Sequence, residues 1–184
     1  MKTENKNSIV WFNEEWHDGS KPIMSSMSQS YMHGSTIFDG ARVYNNTIPD
    51  LHKHCERLIN SSKVMGLSVP ISKERLIELC KEGVKFFEDG AELYIRPSVF
   101  CDDGFLIPDA NSSKLVITIF RAPMPSLNGF TAMLSSFRRP HPNMAPTLAK
   151  AACLYANTSR ALAEATQNGF DNVVMRDGEE NIVD

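Results

Sequence analysis

Three basic residues stand in surroundings that could give them chemistry. Lys150 is the sole Lys, Arg, Asp or Glu between Arg139 and Arg160, within Ala149-Lys150-Ala151-Ala152-Cys153-Leu154. Among small and apolar neighbours an amine loses hydration, which disfavours its charged form and leaves it able to attack a carbonyl. A lysine near a helix start that snorkels to water fits the same pattern. Arg96 is the one charge between Glu92 and Asp102, inside Leu93-Tyr94-Ile95-Arg96-Pro97. Pro97 holds it extended, so its guanidinium either faces solvent or waits in a cavity for a carboxylate. Strand alternation leaves both open. Arg57 falls on the polar side of a helical run, where a solvated charge is the default.

Other chemistries lack their residues. The segment Gly34-Ser35-Thr36-Ile37-Phe38-Asp39-Gly40-Ala41-Arg42 matches neither a dinucleotide fingerprint nor a phosphate loop, and its glycines are expected to shape turns. There is no G-x-S-x-G elbow and no H-E-x-x-H helix. Cys55, Cys80, Cys101 and Cys153 form no C-x-x-C pair and read as free, mostly buried thiols. His52 and His54 flank Lys53, and that spacing on a helix points two ligands to different faces. No metal is expected.

These residues must be positioned by a chain of 184 residues that is 42% hydrophobic and 22% charged, proportions that exclude disorder, collagen-like repeats and coiled coils. Nineteen basic against 22 acidic residues leave a net charge of -3, which provides no basic stripe for nucleic acid. The first seven residues are polar with no apolar region behind them, and no segment is long enough to span a membrane. A cytoplasmic protein is therefore expected.

Strand and helix signals alternate. Ile9 to Phe12 and Gly40 to Tyr44 read as strands, the latter turning at Asn45-Asn46. Leu51 to Met65 has helical spacing and stops at Gly66; a second helix is capped by Ser72 and buries Leu76, Ile77, Cys80, Val84 and Phe87. Glu92 to Cys101, Lys114 to Arg121 and Phe130 to Phe137 follow as strands, and Thr147 to Asn168 reads as a helix of small residues ended by Gly169. Asn172 to Asp184 reads as a hairpin around Asp177-Gly178. The expected organisation is α+β: a small N-terminal domain over 1–121, a Pro/Gly linker over 122–129, and over 130–184 the beginning of a second domain.

In one order along the chain, five blocks resemble class IV pyridoxal-phosphate aminotransferases, in particular the branched-chain amino acid aminotransferases. The blocks are His33 to Arg42, Leu51-His52-Lys53-His54-Cys55-Glu56-Arg57-Leu58, Tyr94-Ile95-Arg96-Pro97, Pro146-Thr147-Leu148-Ala149-Lys150 with Tyr155, and Gly169-Phe170-Asp171 with Asp177-Gly178. The resemblance implies that Lys150 forms the Schiff base with pyridoxal 5'-phosphate and shuttles the substrate's proton. It implies that Tyr155 hydrogen-bonds the cofactor's ring oxygen and that Arg57 holds its phosphate. Asp184 stands where the family carries a carboxylate, usually Glu, beside the pyridine nitrogen, and Phe38, Tyr94 and Arg96 match positions lining the substrate pocket. The implied reaction moves the amino group of Leu, Ile or Val to 2-oxoglutarate, with Arg96 accepting the second carboxylate of the acidic substrate.

Two other activities of the same fold, D-amino acid transamination and aminodeoxychorismate lysis, are alternatives, and His33 stands where many branched-chain enzymes have Tyr. The family is commonly dimeric, so a homodimer or higher homo-oligomer is expected. Its members also run well past this length. That implies a C-terminally truncated chain with an incomplete cofactor-binding domain, and a third reading, an inactive subunit that needs a partner chain.

Overall fold

The computed structural model describes residues 7–183. Residues 1–6, which carry most of the polar N-terminus, and Asp184 lie outside the described residues. The chain opens with strands β1 (Ser8–Phe12) and β2 (Glu15–Asp18), a short helix α1 (Gln29–His33), and strands β3 (Ile37–Phe38) and β4 (Ala41–Val43). Helices α2 (Leu51–Val64) and α3 (Lys73–Val84) come next, then the long strands β5 (Leu93–Cys101) and β6 (Ser113–Arg121). These six strands make one antiparallel sheet in the order β2-β1-β6-β5-β3, with β4 also paired to β5. A second sheet is a parallel pair, β7 (Ala132–Arg138) with β8 (Asn172–Arg176), joined through helix α4 (Tyr155–Gln167).

Alternation along β5 explains the layering. Leu93, Ile95, Val99 and Cys101 are buried in one cluster with Leu51, Cys55 and Leu58 of α2 and Leu76, Leu79 and Cys80 of α3. Residues of opposite parity, Tyr94, Arg96 and Ser98, stand on the other face, where Phe100 joins Val10, Phe12 and Val116 in a smaller cluster. The expected α+β arrangement, helices on one face of an antiparallel sheet, is therefore present. No helix is long and apolar enough to cross a membrane among the described residues.

Local sequence sets several boundaries. Asn45 and Asn46 take φ of 47° and 56°, and Tyr44 bridges Thr47, the two-residue turn that needs left-handed backbone at both central positions. Ser72 caps α3, its Oγ accepting from Arg75 N at 3.1 Å. Replacing Ser72 with alanine is expected to lower stability by about 1 kcal/mol in a denaturant titration. An unchanged midpoint would show that the cap adds nothing. Ala161 and Ala165 are the buried residues of α4, and their small side chains let the helix approach β7 and β8 closely.

The structure departs from the sequence reading in several elements: the expected hairpin over 172–184 is instead strand β8 parallel to β7 with a single bridge from Arg176 to Ile182, and Phe87 lies beyond the end of α3. Helix α4 begins at Tyr155, so 147–154 is not helical apart from a single 3-10 turn at Ala152–Leu154. Backbone groups there pair across the fold: Ala152 N donates to Thr36 O at 2.8 Å, and Ala151 bridges Ile37. A helix cannot use the same groups. Strands β2 and β3 and helix α1 are not expected from the sequence. All three are short, and β2, a polar edge strand, lacks apolar alternation, though Trp16 packs on Phe86 at 5.6 Å between ring centroids.

Candidate functional site

Lys150 is held by its backbone. Its N–H donates to Ser61 Oγ on α2 at 3.0 Å, and its carbonyl accepts from Phe38 N on β3 at 3.0 Å. Ala149 and Ala151 on either side are buried in the main core. With both neighbours pointing inward, the Lys150 side chain projects the other way and stays half-buried. Its Nζ donates to Tyr155 Oη at 2.6 Å and lies 5.1 Å from the centroid of the Phe38 ring. Phe38 and Tyr155 rings are 5.0 Å apart, and the Arg96 guanidinium sits over Phe38 at 4.2 Å. An amine, a phenol and a guanidinium are thus gathered around one ring.

Arg57 occupies the exposed side of α2, one turn before Ser61. Its Nε donates to Asp39 Oδ2 at 2.6 Å and its Nη2 to Asp39 Oδ1 at 2.8 Å. His54 Nδ1 is 2.8 Å from Asp39 Oδ1, and Gly40 N donates to the same oxygen at 2.7 Å. The Asp39 side chain is fully buried, while that of Arg57 remains 55% exposed. Burial pushes the Asp39 carboxyl up, but donation from Arg57, His54 and the Gly40 amide outweighs it and holds the group below its ordinary value. Arg57 is pushed up, chiefly by its bonds to Asp39, with smaller contributions from the nearby Tyr155 and Tyr94.

Tyr94 stands on the sheet face that carries Arg96. A Cβ at Gly40 would lie 1.7 Å from Tyr94 Oη, so only glycine allows this approach. Arg42 lies 5.5 Å from the Tyr94 ring centroid, and its Nη1 donates to Ala122 O at 2.7 Å. Arg96 resolves the choice left by the sequence: it is exposed, stacked on Phe38, and has no carboxylate partner among the described residues.

The structure therefore brings together Lys150, Tyr155, Phe38 and Arg96, with Arg57 within electrostatic reach of Tyr155 and of Tyr94. Asp184 is outside the described residues. A cavity of about 600 Å³ borders the same segment through Thr147 and Leu154 and is walled by Arg139 to Pro142 and Asp177 to Glu179. Its lining includes neither Lys150 nor Arg57. Among the described residues no three His, Cys, Asp or Glu side chains converge as a metal site.

Asp39 was missed by sequence reasoning. The signal was present: a carboxylate between Phe38 and Gly40 in an apolar run, facing a helix with His54 and Arg57 three positions apart. Of the two histidines, His54 is the half-buried one that reaches Asp39, and His52 is exposed.

The donor set fits pyridoxal phosphate. An amine is poised beside a phenol, and Arg57 commits one edge of its guanidinium to Asp39 while Nη1 has no protein partner among the described residues.

Comparison with known proteins places the sequence and the fold in a family. The Amino-transferase class IV family model matches residues 36–184. A probable branched-chain-amino-acid aminotransferase of Rickettsia bellii is 30% identical over 183 residues, 96% of this chain and 62% of that protein. The crystal structure of a Brucella abortus aminotransferase bound to the co-factor PLP superposes with a TM-score of 0.93 at 35% identity, covering 96% of this chain and 64% of that one. The branched-chain aminotransferase of Thermoproteus uzoniensis, solved with norvaline, gives a TM-score of 0.84 at 30% identity over 96% of this chain and 62% of its own. The chain thus spans less than two thirds of the length of these relatives. A family match over most of the residues, on a fold shared at that level, makes the chain a member of the class IV aminotransferases.

Proposed function

We propose that this chain forms part of a cytoplasmic, homodimeric aminotransferase that uses pyridoxal phosphate to move the amino group of Leu, Ile or Val to 2-oxoglutarate. The observation that carries the reading is the Lys150 amine held 2.6 Å from the Tyr155 hydroxyl, against the Phe38 ring on which Arg96 also stacks. When bound, the cofactor supplies an aldehyde for the lysine and an electron sink for the substrate's Cα. With the cofactor bound, Lys150 Nζ would be the amine that anchors it and the base for the substrate's Cα proton. Tyr155 Oη, as its hydrogen-bond partner, orients that amine and offers a donor to the cofactor's ring oxygen. Arg57 binds the phosphate by charge-assisted hydrogen bonds. The Asp184 carboxylate is assigned to the ring nitrogen, which an opposite charge keeps protonated.

On the substrate side, Phe38 and Tyr94 supply apolar surface for a branched side chain, and Arg96 is free to pair with a distal carboxylate. One pocket then serves both substrates because Arg96 rests on the Phe38 ring rather than in an ion pair. Residues 1–121 make the smaller domain, 122–129 the link and 130–184 part of the cofactor domain on this reading.

Assaying L-leucine, D-alanine and aminodeoxychorismate side by side, each with the acceptor it needs, tests the substrate class. Preferential turnover of L-leucine with 2-oxoglutarate is the expected result. Turnover of D-alanine or of aminodeoxychorismate instead would move the protein to one of the sister activities of the fold. Sedimentation of the cofactor-loaded protein tests the dimer, and a monodisperse monomer would refute it.

A further inference from the structure

We infer that Asp39 is a positioning residue that aims Arg57 at the cofactor's phosphate, with His54 as its second clamp. The inference rests on the assignment of Arg57 to the phosphate. An arginine has five N–H donors, and four of them form two separate forks: the side edge, Nε with Nη2, and the end edge, Nη1 with Nη2. Asp39 takes the side edge with both oxygens, at 2.6 and 2.8 Å. The end edge keeps one hydrogen from each terminal nitrogen, a fork suited to two oxygens of one anion. A guanidinium on an exposed helix face would otherwise sample many rotamers. A buried carboxylate removes that freedom before the anion arrives, which is how preorganisation raises affinity.

The geometry also fixes the proton on His54. An ionised Asp39 offers no donor, so the 2.8 Å contact requires the proton on His54 Nδ1. That nitrogen cannot then accept from Arg57, and the 3.4 Å Nη2 approach is packing rather than a second bond. Asp39 itself is fixed from both sides, its N–H donating to Pro97 O at 2.9 Å and its Oδ1 accepting from Gly40 N. Strand β5, which carries Arg96, is thereby tied through Asp39 to the arginine on α2.

Positioning and simple electrostatics predict opposite signs. Asp39 places a negative charge beside an anion site, so charge alone says that Asp39→Asn tightens phosphate binding. Positioning says it loosens, because the asparagine amide sets an N–H against groups that already donate. The measurement is the dissociation constant of the 184-residue chain for pyridoxal phosphate and for pyridoxal, which lacks the phosphate. Their ratio reports the phosphate arm alone, and a general structural defect moves both ligands together.

Asp39→Asn is expected to cut the preference for the phosphorylated ligand by about ten- to a hundredfold. It should add little in an Arg57→Gln background if Asp39 acts through Arg57. An unchanged or increased preference in Asp39→Asn overturns the role of Asp39 while leaving Arg57 in place. Equal binding of the two ligands by the wild-type chain overturns the phosphate assignment itself. Should Asp39→Asn fail to fold, Asp39→Glu keeps the charge but moves the oxygens by one methylene, and a folded Asp39→Glu with wild-type preference overturns the positioning role equally.

Discussion

Replacing Lys150 with alanine is expected to abolish the visible absorbance that the wild-type chain develops with pyridoxal phosphate. In an assembly that turns over, it should slow amino transfer by about 10²–10⁴-fold from the lost proton transfer alone. Arginine at the same position keeps the charge but cannot form the imine, so Lys150→Arg should fail as completely as Lys150→Ala. The lysine is separable from the fold because its hydrogen bonds to Ser61 and Phe38 are made by its backbone and leave the side chain free to change. Thermal unfolding of the variant should therefore stay close to wild type. Borohydride reduction of the wild-type mixture should leave the cofactor on the peptide containing Lys150. A label found on a different lysine would sink the assignment.

The second large effect concerns Ile37, which never touches a ligand. Its side chain is fully buried in the main core, and its backbone pairs with Val99 on one side and bridges Ala151 on the other. One residue thus joins the central sheet to the segment that carries Lys150. Ile37→Ala is expected to cost about 2–5 kcal/mol through lost burial and the cavity left behind. Against a domain stability of about 5–15 kcal/mol that is a large fraction. The same change should weaken lysine-dependent binding of pyridoxal phosphate, since Phe38 and Lys150 are anchored next to it. Urea titration and absorbance measured on one preparation would check both. A loss of stability with unaltered binding would show that the lysine segment is held from elsewhere.

Much of this architecture is legible from residue order because it is local. Hydrophobic spacing of 3.6 marks α2 and α3, Ser72 signals a cap, and Asn45-Asn46 signals a turn that tolerates positive φ. Apolar and β-branched runs mark β1, β5 and β6. What fails is whatever depends on a partner distant in sequence. The run from Thr147 has the composition of a helix, yet Thr36 and Phe38 claim its backbone groups, and α4 starts only at Tyr155. Propensity is worth tenths of a kcal/mol per residue and yields to such pairing.

The site divides the same way. The sequence by itself determined which groups are available: an isolated lysine with a tyrosine five residues on, an arginine beside a proline, and a row of motif blocks in the order of one family. Only the tertiary structure decided what each group faces. Arg57 reads as a solvated helix charge until β3 and β4 bring Asp39 against it, and Arg96 reads equally well as buried or exposed until Phe38 is seen beneath it. Charge pairing and stacking depend on separations of a few ångströms between elements far apart in the chain, and no spacing along the sequence encodes those distances.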